Sequence, residues 1–388
     1  MGFQKFRAGQ LFDGTRMLGQ ENVLITSATG IIEAIVPVQD AGDDVQQFEG
    51  IITPGFVNCH CHLELSHMKG HIPENTGLVD FVSRVITERH GTEEEILLAI
   101  DEAENEMIRG GIVAVGDICN NTLTIIQKSK RNLTYHNFIE ASGFLPQVAQ
   151  ARWERAQLIF DDFAGLHPDP FLHNSIVPHA PYSVSKELWQ RIRNFPGNLI
   201  STIHNQEAID ENELFLKGSG RFPDFYRRFN MDDSFFIAPG KTSFQTFIGN
   251  FLPAQTVIAV HNVHTSADDL ACYQSMETRP ELCWCLCPNA NLYIGGQLPD
   301  VRLLMNSGLL MVLGTDSLAS NASLSLISEM RTLLASFPFL DAEILLRWAT
   351  INGAKALHLD QLLGSFEPGK QPGIVLCDAT LSSARRLL

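Results

Sequence analysis

Ile51-Ile52-Thr53-Pro54-Gly55-Phe56-Val57-Asn58-Cys59-His60-Cys61-His62 is an apolar run, broken once by Pro-Gly, that ends in two histidines two residues apart. Side chains alternate across a β-strand with a period of two, so His60 and His62 project from one face and can share a divalent ion. Alone, such a pair fits two buried polar side chains near a strand end as well as it fits two ligands. Three further segments shift that balance. Ile203-His204-Asn205-Gln206-Glu207, Val260-His261-Asn262 and Leu313-Gly314-Thr315-Asp316-Ser317 each set a ligand-capable or proton-transferring side chain at the end of a short apolar run.

With Pro178-His179-Ala180-Pro181-Tyr182-Ser183 and Cys287-Pro288-Asn289-Ala290-Asn291 added, the pattern resembles the amidohydrolase superfamily over nearly the whole chain. More narrowly it resembles the mononuclear aminohydrolase branch, which deaminates nucleosides, pterins and related N-heterocycles. The resemblance implies an α/β fold: a metal-dependent (β/α)8 barrel with a small β-sandwich built from both termini.

The residues themselves support that layout. Short apolar runs bounded by turns, including Val23-Leu24-Ile25, Ala28-Thr29-Gly30 and Gly373-Ile374-Val375-Leu376-Cys377, suggest antiparallel sheet at the two ends. Residues 1–53 and 362–388 are expected to form the sandwich, and residues 54–361 the catalytic barrel. Between the ends, apolar runs alternate with helical patterns, as in βα units. Candidate barrel strands end near His62, Asp117, Glu140, His179, His204, His261, Cys287 and Asp316. Eight such strands close a barrel whose site lies at their carboxyl ends. Two long connections, residues 63–89 with a helix over Gly77 to Glu88 and residues 208–255, read as rims over a substrate pocket.

Composition sets the class of partner. Of 388 residues, 45% are hydrophobic and 19% charged, which predicts a compact globular protein. A formal net charge of -16 opposes binding to a phosphate backbone, so nucleic acid is excluded as a partner. There is no apolar run of ~18 residues to span a membrane and no signal-peptide layout at the start. The expectation is a cytoplasmic enzyme with a small-molecule substrate and no membrane partner; homo-oligomer formation is left open. Cys283, Cys285 and Cys287 share one strand face, but lack the turn that separates ligands in a Cys-x-x-Cys knuckle, and read as packed barrel residues.

His60, His62, His204 and Asp316 make a donor set that suits one divalent metal ion per chain, zinc with iron as the alternative. The binuclear relatives carry a bridging lysine at the end of the fourth strand. Here that strand reads Asn174-Ser175-Ile176-Val177-Pro178-His179, without one. A bound divalent ion makes water acidic enough to supply hydroxide near neutral pH. By the resemblance, Glu207 shuttles a proton to the ring nitrogen, and His261 rather than His264 hydrogen-bonds the hydroxide. Asp316 takes the proton of the water and returns it to the departing ammonia. Glu64, Ser66, Glu140, His179 and Asn291 are the candidate substrate contacts.

The run His62-Leu63-Glu64-Leu65-Ser66 resembles the matching stretch of aminodeoxyfutalosine deaminases, which points to 6-amino-6-deoxyfutalosine or another adenine nucleoside. Hydrolysis of a cyclic amide or an aryl halide is the rival on the same fold, and a non-catalytic metal-binding relative the rival outside catalysis.

Overall fold

A computed structural model describes residues 2–165 and 174–388. Six strands come first: β1 (Phe3–Arg7), β2 (Gln10–Leu11), β3 (Asn22–Ser27), β4 (Ile32–Pro37), β5 (Gln46–Gln47) and β6 (Ile51–Pro54). Eight follow: β7 (Phe56–Cys61), β8 (Ile112–Cys119), β9 (Thr134–Ala141), β10 (Asn174–Pro178), β11 (Ile200–Asn205), β12 (Thr256–His261), β13 (Glu281–Leu286) and β14 (Leu310–Leu313). The chain closes with β15 (Ile374–Cys377) and β16 (Ala384–Arg386).

The eight central strands pair in parallel as two four-stranded sheets, β7 to β10 and β11 to β14, each in sequence order. Hydrogen bonds cross both seams between them. The His204 amide donates to the His179 carbonyl at 3.0 Å, and the Thr315 amide to the His60 carbonyl at 2.9 Å. Most positions of these strands are buried, which suits parallel strands covered on both faces and explains why they read as near-continuous apolar runs. Cys59, Cys283, Cys285 and Cys287 pack in one apolar cluster with Val57, Ile258 and Val312, as the strand reading of the cysteines expects.

The termini meet in two further sheets, ordered β4-β3-β1-β5 and β16-β15-β6-β2. In the second, Leu376 of β15 faces Ile52 of β6 in an antiparallel register. Phe6, Leu24 and Ile32 from one sheet pack with Ile52 and Ile374 from the other, so the two ends of the sequence share a core. β1 escapes a search for apolar runs because Phe3-Gln4-Lys5-Phe6-Arg7 is mostly polar.

Both long connections carry structure of their own. The first holds a helix, Leu78–Glu88, entered through Gly77 at a φ of 74°. The second holds the helices Ile209–Lys217, Phe222–Arg228 and Ser243–Phe247. These two segments pack on each other: Leu78 and Phe81 share a cluster with Phe222, Phe225 and Tyr226, and Asp80 pairs with Arg221 at 2.7 Å and Arg228 at 3.3 Å. No helix among the described residues is long and apolar enough to cross a membrane.

Candidate active site

Strand period places His60 and His62 on one face of β7 near its end, and parallel pairing brings the ends of β11, β12 and β14 to the same side. His62 Nε2 lies 3.2 Å from the Nε2 atoms of both His60 and His204, and 3.3 Å from Asp316 Oδ1. His60 Nε2 lies 3.5 Å from the same carboxylate oxygen. Four ligands held ~2.0–2.1 Å from a tetrahedral ion stand about 3.3 Å apart, so these separations suit one ion. Burial holds the His62 ring down at about 3, and burial likewise holds His204 well below its usual value. Three buried imidazole nitrogens and a carboxylate oxygen converge here, an arrangement that a bound cation would satisfy.

The local sequence fixes each donor. His204 Nδ1 donates to the His179 carbonyl at 2.8 Å, which leaves Nε2 as the ligand atom. Asn58 ties β7 to the Asp316 loop, accepting from the Thr315 amide at 3.1 Å and donating to the Thr315 hydroxyl at 2.8 Å. Gly314 lets that loop approach, since a Cβ there would stand 2.7 Å from His60 Cβ. Asp316 lies three residues beyond the end of β14, in the left-handed region at φ 57°, and its Oδ2 accepts from Ser320 at 2.6 Å. Burial alone pushes the Asp316 carboxyl up, but the hydrogen bond from His60 and the charges of the neighbouring histidines bring it below its usual range.

Glu207 follows β11 and is buried. Its Oε2 is 3.6 Å from His261 Nε2, its Oε1 has no partner among the described residues, and its backbone amide donates to Glu211 at 2.8 Å. Burial pushes its carboxyl well above the ordinary value, and the charges of Asp316 and Glu211 add to that. His261 ends β12 at φ 76°, while His264 is absent from the cavity wall.

A cavity of about 320 Å³ opens over these groups and is lined by His62, Glu64, Glu140, His179, His204, Glu207, His261 and Asp316. Glu64 and Glu140 are joined by Asn120, which the sequence did not single out. Its amide donates to Glu64 Oε2 at 3.0 Å and its Nδ2 to Glu140 Oε2 at 2.9 Å. Each carboxyl keeps a buried Oε1 with no hydrogen-bond partner among the described residues, that of Glu140 standing 3.6 Å from His204 Nδ1, and burial raises Glu64 to about 7. His179 Nδ1 is 2.7 Å from the Ser183 hydroxyl, which donates to the Ala180 carbonyl, so the ring presents an unprotonated Nε2 to the cavity. Further out the wall is apolar, with Leu78, Phe81, Val82, Val85 and Ile159, and three guanidinium groups, Arg89, Arg152 and Arg155, also line it. The signal for Asn120 was its place directly after β8, at the end of the strand where such sites are built. The arginines lie on connections, where sequence pattern carries no such cue.

Two expected substrate contacts stand elsewhere. The Ser66 hydroxyl donates to the Leu63 carbonyl at 2.7 Å, a bond inside its own turn, and Ser66 does not line the cavity. Asn291 is also off the cavity wall, with Nδ2 at 2.9 Å from His261 Nδ1. Asp117 is a structural residue: it accepts from the Leu63 amide at 2.8 Å and pairs with the buried Lys128 at 2.5 Å.

Residues 51–386 match the amidohydrolase family. An adenosine deaminase of Helicobacter pylori is 29% identical over 333 residues, 84% of this chain and 78% of the relative. A 5-methylthioadenosine/S-adenosylhomocysteine deaminase of Teredinibacter turnerae is 27% identical over 386 residues, 89% of this chain and 77% of the relative. Among solved structures, the aminofutalosine deaminase of Helicobacter pylori in complex with methylthio-coformycin superposes with a TM-score of 0.81 at 23% identity, covering 99% of this chain and 97% of that one.

Proposed function

We infer that this chain, which belongs to the amidohydrolase family, hydrolytically deaminates an amino-substituted N-heterocycle or nucleoside. The observation that carries the reading is a buried carboxyl, Glu207, 3.6 Å from His261 and set beside a three-histidine, one-carboxylate donor cluster. Residues 54–361 are read as one closed (β/α)8 barrel, supported by the hydrogen bonds across both seams, and residues 1–53 with 362–388 as the sandwich.

His60, His62, His204 and Asp316 would hold one zinc ion, with iron as the alternative for the same donors. When bound, the ion makes water acidic enough to attack near neutral pH. A second cluster, Glu140, His179 and His204, overlaps the first, but His204 spends its Nδ1 proton on the His179 carbonyl and has no second nitrogen to give. Elemental analysis is therefore expected to find about one zinc or iron per chain, and two tightly bound ions would overturn the assignment.

The chain's own groups carry the protons. Glu207 gives its proton to the ring nitrogen next to the attacked carbon, and His261 hydrogen-bonds the incoming oxygen. Asp316 accepts one proton of the nucleophile and passes it to the leaving amine, and as the C–N bond breaks and ammonia departs the remaining proton on the oxygen returns to Glu207, leaving a carbonyl on the ring carbon.

The cavity favours a nucleoside with an extended arm. Glu64 and Glu140, whose Oε1 atoms accept no hydrogen bond from the described residues, offer acceptors suited to sugar hydroxyls, the apolar wall suits an aryl group, and the arginines suit a carboxylate. That profile fits 6-amino-6-deoxyfutalosine, an adenine nucleoside with an aryl carboxylate on its 5′ side. It should be deaminated faster than free adenine, guanine or cytosine and faster than chlorinated triazines are hydrolysed, as read by ammonia and halide release over one substrate panel. A preference for a free base or a triazine would sink the assignment.

A further inference from the structure

Asn291 lies in the first turn of the helix Pro288–Gly295, and its side chain crosses to the end of β12. Both it and His261 are buried, with Asn291 Nδ2 at 2.9 Å from His261 Nδ1. The other ring nitrogen, Nε2, has no hydrogen-bond partner among the described residues and stands 3.6 Å from Glu207 Oε2. A neutral imidazole carries its proton on one nitrogen only, and the nitrogen that accepts a hydrogen bond is the one without it. An amide N–H given to Nδ1 thus puts the proton on Nε2. We propose that Asn291 is a positioning residue that fixes His261 in the Nε2-protonated tautomer and aims that N–H into the cavity.

The tautomer decides what His261 can do. The side chains facing Nε2 across the site include the carboxyl groups of Glu207 and Asp316, which bring acceptor oxygens. A bare Nε2 would turn a lone pair toward the lone pairs of an attacking oxygen, whereas an Nε2–H donates to it. The ring is also held from behind. His261 and Asn262 adopt φ values of 76° and 61°, and the Asn262 side chain donates to the Ala259 carbonyl at 2.9 Å and the Cys285 carbonyl at 3.2 Å. Two consecutive non-glycine residues in the left-handed region persist only where the surroundings hold them. Backbone and Asn291 together leave the imidazole one orientation and one tautomer.

This inference rests on the role proposed for His261, but its first test does not require turnover. In zinc-loaded protein labelled with 15N-histidine, the His261 resonances, identified by their loss in His261→Gln, should show a protonated Nε2 and an unprotonated Nδ1. The opposite pattern would mean that the Asn291 carbonyl faces the ring, and would overturn the proposal. The second test is Asn291→Asp, which keeps the shape but can only accept, so it draws the ring proton to Nδ1. The reversed swap at a catalytic triad exchanges an acceptor for a donor and costs about 10⁴ in kcat. Here kcat should fall by on the order of 10²-fold or more, with KM within about threefold and metal content unchanged. A raised KM at constant kcat would make Asn291 a substrate contact, and unchanged kinetics would make it scaffold. Either result rejects a positioning role.

Discussion

His62→Ala protein should carry no tightly bound metal and have no measurable turnover while remaining folded. His62 is the hub of the donor cluster: its Nε2 is within 3.3 Å of the other two imidazole Nε2 atoms and of Asp316 Oδ1. Removing it takes one of three imidazole donors and the member that touches all the rest. Two histidines and a carboxylate remain, one donor short of the converging set of four. The ring's nitrogen contacts are with other members of the cluster, so its loss leaves the hydrogen bonds of the strands intact. Metal content by elemental analysis, read beside the unfolding transition of the same preparation, separates loss of a ligand from loss of the fold. Retention of about one ion per chain would remove His62 from the ligand set.

What the sequence made legible follows from periodicity. The eight central strands are short and covered on both faces, so their apolar runs stand out, and all but β13 end within about three residues of a polar side chain at the cluster or the cavity. The side chains that converge at the cluster, and Glu207 beside them, were therefore readable from strand ends alone. Pairing is a different matter. That Asn58 grips Thr315, or that Asn120 spans Glu64 and Glu140, depends on which loops become neighbours, and no local pattern encodes it.

The same limit explains Ser66 and Asn291. Both follow a site motif closely, yet Ser66 turns back to its own backbone and Asn291 turns toward β12. Helical geometry in those segments, not strand alternation, sets where their side chains point. The guanidinium groups of Arg89, Arg152 and Arg155 come together only through the packing of two helical connections around the cavity.

Glu207→Gln should keep its metal and lose turnover by roughly 10²–10⁴-fold, the usual scale for removing a general acid or base. The carboxyl is placed for proton transfer rather than ligation: burial and the charges of Asp316 and Glu211 push it well above its ordinary value, and it does not belong to the donor cluster. Glutamine has the same length and can still hydrogen-bond, but it cannot release and recover a proton near neutral pH. Its backbone amide would still donate to Glu211, so the loop after β11 should stay in place, and His204 with it. A structural or solvated carboxylate would make different predictions: the amide would be tolerated and the rate would stay near normal. A metal ligand would make a third, with occupancy falling together with rate as in His62→Ala. Measuring occupancy and rate on both variants therefore decides among these three readings of Glu207, because of the three only a proton shuttle combines full metal content with a collapsed kcat.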